Sequence, residues 1–128
     1  MATNLVKDNG NILPVVVTDP ATPTSGAVVR FGSIIGVALG AEGEGGAGAT
    51  ETVVDFTPGK IWNLLVDDNA GTGIAAGALL YYHDTETGSP SANLNNSSAS
   101  ADAFGAIALD AVSANATTTI RVMIRPTT

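Results

Sequence analysis

Short apolar runs alternate along this chain with breaks rich in glycine and proline, and the runs are too short to make comfortable helices. Residues 26–40, GAVVRFGSIIGVALG, set the pattern: two runs, 27–31 and 34–39, meet at the Gly32-Ser33 joint, and both favour β-branched residues. The motif returns later. Gly77-Ala78-Leu79-Leu80-Tyr81-Tyr82 answers Gly26-Ala27-Val28-Val29-Arg30-Phe31, and Gly105-Ala106-Ile107-Ala108-Leu109 answers Gly36-Val37-Ala38-Leu39. Each half closes on an alternating strand, over 52–56 in the first and 118–125 in the second. This pattern predicts an all-β or mostly β domain: a compact small barrel or sandwich of two pseudo-repeated halves, with an N-terminal arm.

The remaining segments fill in that frame. Residues 1–11 are polar and carry an Asn9-Gly10 turn signal, which reads as an arm or as an edge strand of the domain itself. Residues 12–18 predict a strand, with Pro14 placing it at a sheet edge. Pro20 and Pro23 make 19–25 a rigid connector, and 40–48 reads as a flexible glycine-rich loop. In 51–56, Thr52, Val54 and Phe56 share one face, with Val53 and Asp55 on the other. Segment 61–66 fits a strand or, through Ile61, Leu64 and Leu65, a helical face; its shortness and the adjoining Pro58-Gly59 favour the strand. A turn over 67–73 leads to a strand over 78–83. Residues 84–103 then form the longest stretch without pattern, read as a long loop. Strands over 104–111 and 117–125 finish the sheet, Ile120, Val122 and Ile124 pointing one way and Arg121, Met123 and Arg125 the other.

Composition narrows the possibilities. A chain of 128 residues is one domain, here an arm over 1–11 and a single β-rich domain over 12–128. Aromatics are only 5% of it, so the core is built from small residues and stands to gain stability from subunit contacts. The absence of cysteine excludes disulfide scaffolds and thiolate chemistry. No apolar run approaches the ~20 residues of a membrane helix, and the N-terminus has no signal-peptide pattern. The expectation is synthesis in the cytoplasm and no membrane partner, with a large particle assembled inside the cell as an open destination. A formal charge of −7 includes a stretch, 40–110, in which Lys60 is the only base, and such a surface repels nucleic-acid phosphates.

Candidate chemistry fares poorly. Gly43-Glu44-Gly45-Gly46-Ala47-Gly48 fits GxGxxG, and Gly71-Thr72-Gly73-Ile74-Ala75-Ala76 its variant ending in alanine, but neither precedes the helix that a dinucleotide site needs. Asp67-Asp68-Asn69 and Asp84-Thr85-Glu86 lack EF-hand spacing and read as solvated acidic turns. His83, the single histidine, reads as a surface or subunit-contact residue, with no Gly-x-Ser-x-Gly elbow in the chain. The Asn-x-Ser/Thr sequons at Asn95, Asn96 and Asn115 read as loop composition. Phe31, Phe56, Trp62, Tyr81, Tyr82 and Phe104 read as the few large pieces of the core, with a sugar-binding platform as the competing interpretation. No cofactor, no metal and no enzymatic activity are expected.

The two-half arrangement resembles the family of small bacteriophage head decoration, or capsid cement, proteins. The matching pieces are Met1-Ala2-Thr3-Asn4 leading to Ile12-Leu13-Pro14-Val15, then Thr24-Ser25-Gly26-Ala27-Val28-Val29 and Ile35-Gly36-Val37-Ala38-Leu39. In the second half they are Ala76-Gly77-Ala78-Leu79-Leu80-Tyr81-Tyr82, Gly105-Ala106-Ile107-Ala108-Leu109 and Thr118-Thr119-Ile120-Arg121-Val122. Loops 40–48 and 84–103 depart from the family pattern. The resemblance implies a homotrimer on the outer capsid surface of the virion that binds the major capsid protein and clamps the head against the pressure of packaged DNA. Joined with the polar arm, it makes Ala2, Thr3, Asn4, Leu5, Val6, Lys7, Asp8, Asn9, Gly10 and Asn11 the candidate capsid-binding residues, adding a strand to a capsid sheet with Leu5 or Val6 in a pocket. The alternative is a carbohydrate- or cell-surface-binding β-module, which exposed aromatics beside acidic turns would favour and burial of all six aromatics would sink.

Overall fold

A computed structural model describes residues 11–125, and these form nine strands and no helix. The first four strands are β1 (Ile12–Val15), β2 (Val28–Phe31), β3 (Ile34–Ala38) and β4 (Thr52–Asp55), hydrogen-bonded in the order β1-β4-β3-β2. The β2–β3 hairpin turns on Gly32-Ser33, Phe31 facing Ile34, and Gly32 supplies the positive φ of 61° at the first loop position. The expected strand over 12–18 is shorter, because its second half changes partner. Ile12–Val15 pairs with β4, but Thr18 and Asp19 donate their N–H groups to Arg30 O at the far edge of the sheet, and Arg30 N donates to Asp19 O. The chain thereby bridges both edges of the sheet around a small interior of Val29, Ala38 and Val54, packed by Val15, Val17 and Phe56.

The other five strands are β5 (Ile61–Asp67), β6 (Leu79–Thr87), β7 (Ala92–Asn95), β8 (Ala103–Ala108) and β9 (Thr117–Ile124), closed into a barrel in the order β5-β7-β6-β8-β9. Most pairs are antiparallel, and β5–β7 is a short parallel contact. Segment 61–66 is a strand, as its length favoured. The alternation in β9 is also as expected: Ile120, Val122 and Ile124 are buried, with Arg121 exposed and Met123 and Arg125 half-buried. Val28, Ile35 and Val37 join the barrel residues in one continuous core, so the first sheet packs against the barrel through the face opposite its own interior.

The two Gly-Ala segments make matching bonds. Gly26 N donates to Ala38 O and Ala38 N to Ala27 O at 2.7 and 2.9 Å; Gly77 N donates to Ala108 O and Ala108 N to Ala78 O at the same two distances. The answering glycines, however, serve different ends. A Cβ on Gly36 would lie 2.6 Å from Val54 Cγ1 and 2.8 Å from Asp55 O, so glycine there permits close strand approach. Gly105, at φ 150°, sits where the β6–β8 register shifts.

Residues 84–103 are not a long loop. Strand β6 continues to Thr87, β7 occupies Ala92–Asn95 and β8 starts at Ala103. The strands hide in polar sequence because their stability comes from backbone pairing and side-chain bonds, such as Asn93 Nδ2 to His83 O, with only Ala92, Leu94 and Ala103 as buried apolar residues. The aromatics contribute to the core only in part, through Tyr82 and through Trp62 and Phe56 packed against it. Among the six aromatics only Tyr82 is fully buried; Phe31 is 40% exposed and the others are half-buried, while valine, leucine, isoleucine and alanine fill the interior.

Candidate functional site

Of the ten candidate binding residues, Ala2 to Gly10 lie outside the described residues. Asn11 is described, and its carbonyl accepts the Phe56 N–H at 2.6 Å. The root of the segment is therefore tied to the end of β4, five residues before β5 begins.

The body above that root is held together by polar contacts that sequence reasoning missed. Arg30 on β2 forms a two-pronged ion pair with Asp84 on β6, Nε to Oδ1 at 2.8 Å and Nη2 to Oδ2 at 2.6 Å. This geometry fits a guanidinium to a carboxylate, and the Asp84 bonds raise the Arg30 pKa further. Beside it the buried Tyr82 hydroxyl donates to Asp19 Oδ2 at 2.5 Å; burial, and then that bond, push the phenol pKa up and keep it neutral. A third fastening lies at the connector. The Asp55 side chain, at the end of β4, is fully buried and receives Lys60 Nζ at 2.5 Å, with Thr57 N and Oγ1 on its other oxygen. Burial alone would raise the Asp55 pKa, but the Lys60 and Thr57 bonds outweigh it and hold the carboxyl below its ordinary range. The Arg30–Asp84 and Tyr82–Asp19 pairs span 54 and 63 residues, so no local pattern announces them.

The acidic turn at 67–69 is not solvated, which corrects the sequence expectation. Asp67 and Asp68 are buried. Asp67 accepts the hydroxyls of Thr87 and Thr117, both at 2.7 Å. Asp68 accepts Gly73 N, Asn115 N and Asn96 Nδ2, and these bonds overcome the burial that opposes its charge, lowering its pKa. The oxygens of Asp67 and Asp68 are thus occupied by donors of the fold itself, and Asp84 is committed to Arg30. Among the described residues no cluster of three or more metal-ligating side chains occurs. His83 is also buried, at 8% exposure, with Nε2 2.8 Å from Ser97 O; it is a packed residue of the barrel and not an exposed contact. Neither glycine fingerprint leads into a helix: the first precedes β4 and the second β6.

Among the described residues, apolar side chains gather on two parts of the outer surface. On the barrel, Ile61 faces Met123, Met123 faces Ile107 and Ile107 faces Leu79, which sets four large side chains in one row across β5, β9, β8 and β6. Next to the row, Tyr81 packs on Phe104 with ring centres 5.6 Å apart, and Arg125 lies over Phe104. On the first sheet, Leu39 bonds to Val53, Val53 faces Pro14, and Val16 follows, 57% exposed.

With this geometry in hand, comparison with known proteins gives one result. A family model described as phage cement protein matches residues 7–124. No curated protein and no solved structure matches the chain. The match covers every strand of both sheets and residues 7–11 of the candidate arm.

Proposed function

The chain belongs to the phage cement protein family, and from that membership we propose that it binds the outer face of a phage head through the major capsid protein, as a homotrimer, and stabilises the shell against packaged DNA. Capsid decoration follows from the family, whose model spans 118 of the 128 residues. The finer reading is supported by the body itself. A cement must transmit load without yielding, and here two β units are tied by Arg30–Asp84, Tyr82–Asp19 and Lys60–Asp55. An acidic chain of net charge −7 is also suited to a place outside the shell, away from the DNA phosphates. In this reading the protein has no catalytic role, and no cofactor takes part.

The grip on the shell is assigned to Ala2–Asn11, joining a capsid sheet by strand addition with Leu5 or Val6 in a pocket. Ordering about ten residues opposes binding by roughly 1–2 kcal/mol of backbone entropy each, so a single arm binds modestly. Three arms acting together gain an avidity of about 10²–10⁴ through effective concentration. The test is to add purified protein to heads that lack it and count bound copies. The full chain is expected to decorate the heads and raise their resistance to heat, and a chain lacking residues 2–10 to fold but bind far more weakly. Failure of the full chain to bind refutes the decoration reading; unchanged binding by the truncated chain refutes the arm.

A further inference from the structure

We propose that the row Ile61–Met123–Ile107–Leu79 is one half of a head-to-tail contact between copies of this chain, the other half being the Leu39–Val53–Pro14–Val16 patch of the neighbouring copy. The inference deepens the oligomeric part of the function proposed above by naming its surfaces. The row is an outer face of the barrel that the described residues leave open: Ile61 is 53% and Leu79 39% exposed. Four side chains at strand spacing form an apolar strip roughly 15 Å long, enough for the dry centre of an interface but not for its rim.

Charge selects the occupant. Three of the four cations among the described residues, Lys60, Arg121 and Arg125, lie on or beside β5 and β9 along this strip. Among the described residues Arg121 is paired with Asp110 and Lys60 with the buried Asp55, while Arg125 lies over the Phe104 ring and adds a cation to this side of a strongly acidic protein. The first-sheet patch has the opposite rim. Leu39 and Val53 line a depression with Glu44, and Glu42 and Glu51 lie in the same loop region. An apolar strip with a basic rim and an apolar patch with an acidic rim, on different units of one chain, complement each other between copies. Because the two surfaces differ, the contact is heterologous and closes into a ring when the rotation between copies allows.

Sedimentation velocity of the full chain over a range of concentrations tests this. The wild type is expected to assemble, while an Ile61→Glu/Leu79→Glu variant and a Leu39→Glu variant each sediment as monomers; all three substituted side chains protrude, and circular dichroism verifies that the variants fold. Mixing the two variants is expected to restore dimers, since each retains one intact face. A monomeric wild type, an unchanged assembly in either variant, or a mixture that stays monomeric overturns the proposal. So does an Ile61→Glu/Leu79→Glu protein that still assembles but no longer binds heads, because the strip then faces the capsid. A wild type that assembles as described but ignores phage heads refutes the decoration reading alone.

Discussion

Replacing Lys60 with methionine isolates the fastening between the two units. Methionine keeps most of the stem that lies against Trp62, whose ring centre is 5.2 Å from the ammonium, and removes only the charge. Asp55 is left with Thr57 as its partner in a site that is fully closed to water. Breaking a fully buried pair costs roughly 3–5 kcal/mol, and an exposed one about 1 kcal/mol or less. The Lys60 side chain is 46% exposed, so the expected loss lies between these limits, at about 2 kcal/mol. For a chain of this size that lowers Tm by roughly 5–10 °C. Urea unfolding followed by circular dichroism at neutral pH measures the loss, and Asp55→Asn with the double variant completes a cycle whose coupling is expected at roughly 1–2 kcal/mol. A loss under about 0.5 kcal/mol, or additive single variants, would refute the claim that this pair holds the units together.

Two further predictions concern acid and packing. Asp55 and Asp68 have folded pKa values below their unfolded ones, and Asp110, bonded to Arg121, is lowered to about 2. Their stabilising effect is therefore complete above the unfolded carboxylate value near about 4 and is lost as pH falls through the folded values. Thermal melts are expected to hold steady from neutral pH to about 5 and to drop below about 4; melts unchanged down to pH ~3 would contradict this. Gly36→Ala places a methyl 2.6 Å from Val54 Cγ1 and 2.8 Å from the Asp55 carbonyl, which as backbone cannot easily yield. The expected loss is roughly 1–3 kcal/mol in a denaturant titration, and a neutral result would mean that β3 and β4 separate readily.

The sequence by itself determined the β class and most of the strands, because short β-branched runs bounded by Gly and Pro leave the backbone few options. It also determined the inward faces of β9 and the two strands meeting at Gly32-Ser33, and its motif order already resembled the family whose model matches residues 7–124. Tertiary structure decided what the local pattern could not encode. β7 was invisible because only Ala92 and Leu94 mark it, and its register is set by pairing with β6 and β5. His83, Asp67 and Asp68 read as surface residues because polarity in sequence implies water, whereas here His83 Nε2 and the oxygens of both carboxylates find partners within the fold. The exposed apolar row is the clearest case: Ile61, Leu79, Ile107 and Met123 are ordinary members of four separate strands, and barrel registers alone place them side by side. A side chain's own neighbours in sequence fix its strand, but only the pairing of distant strands fixes the surface it shares.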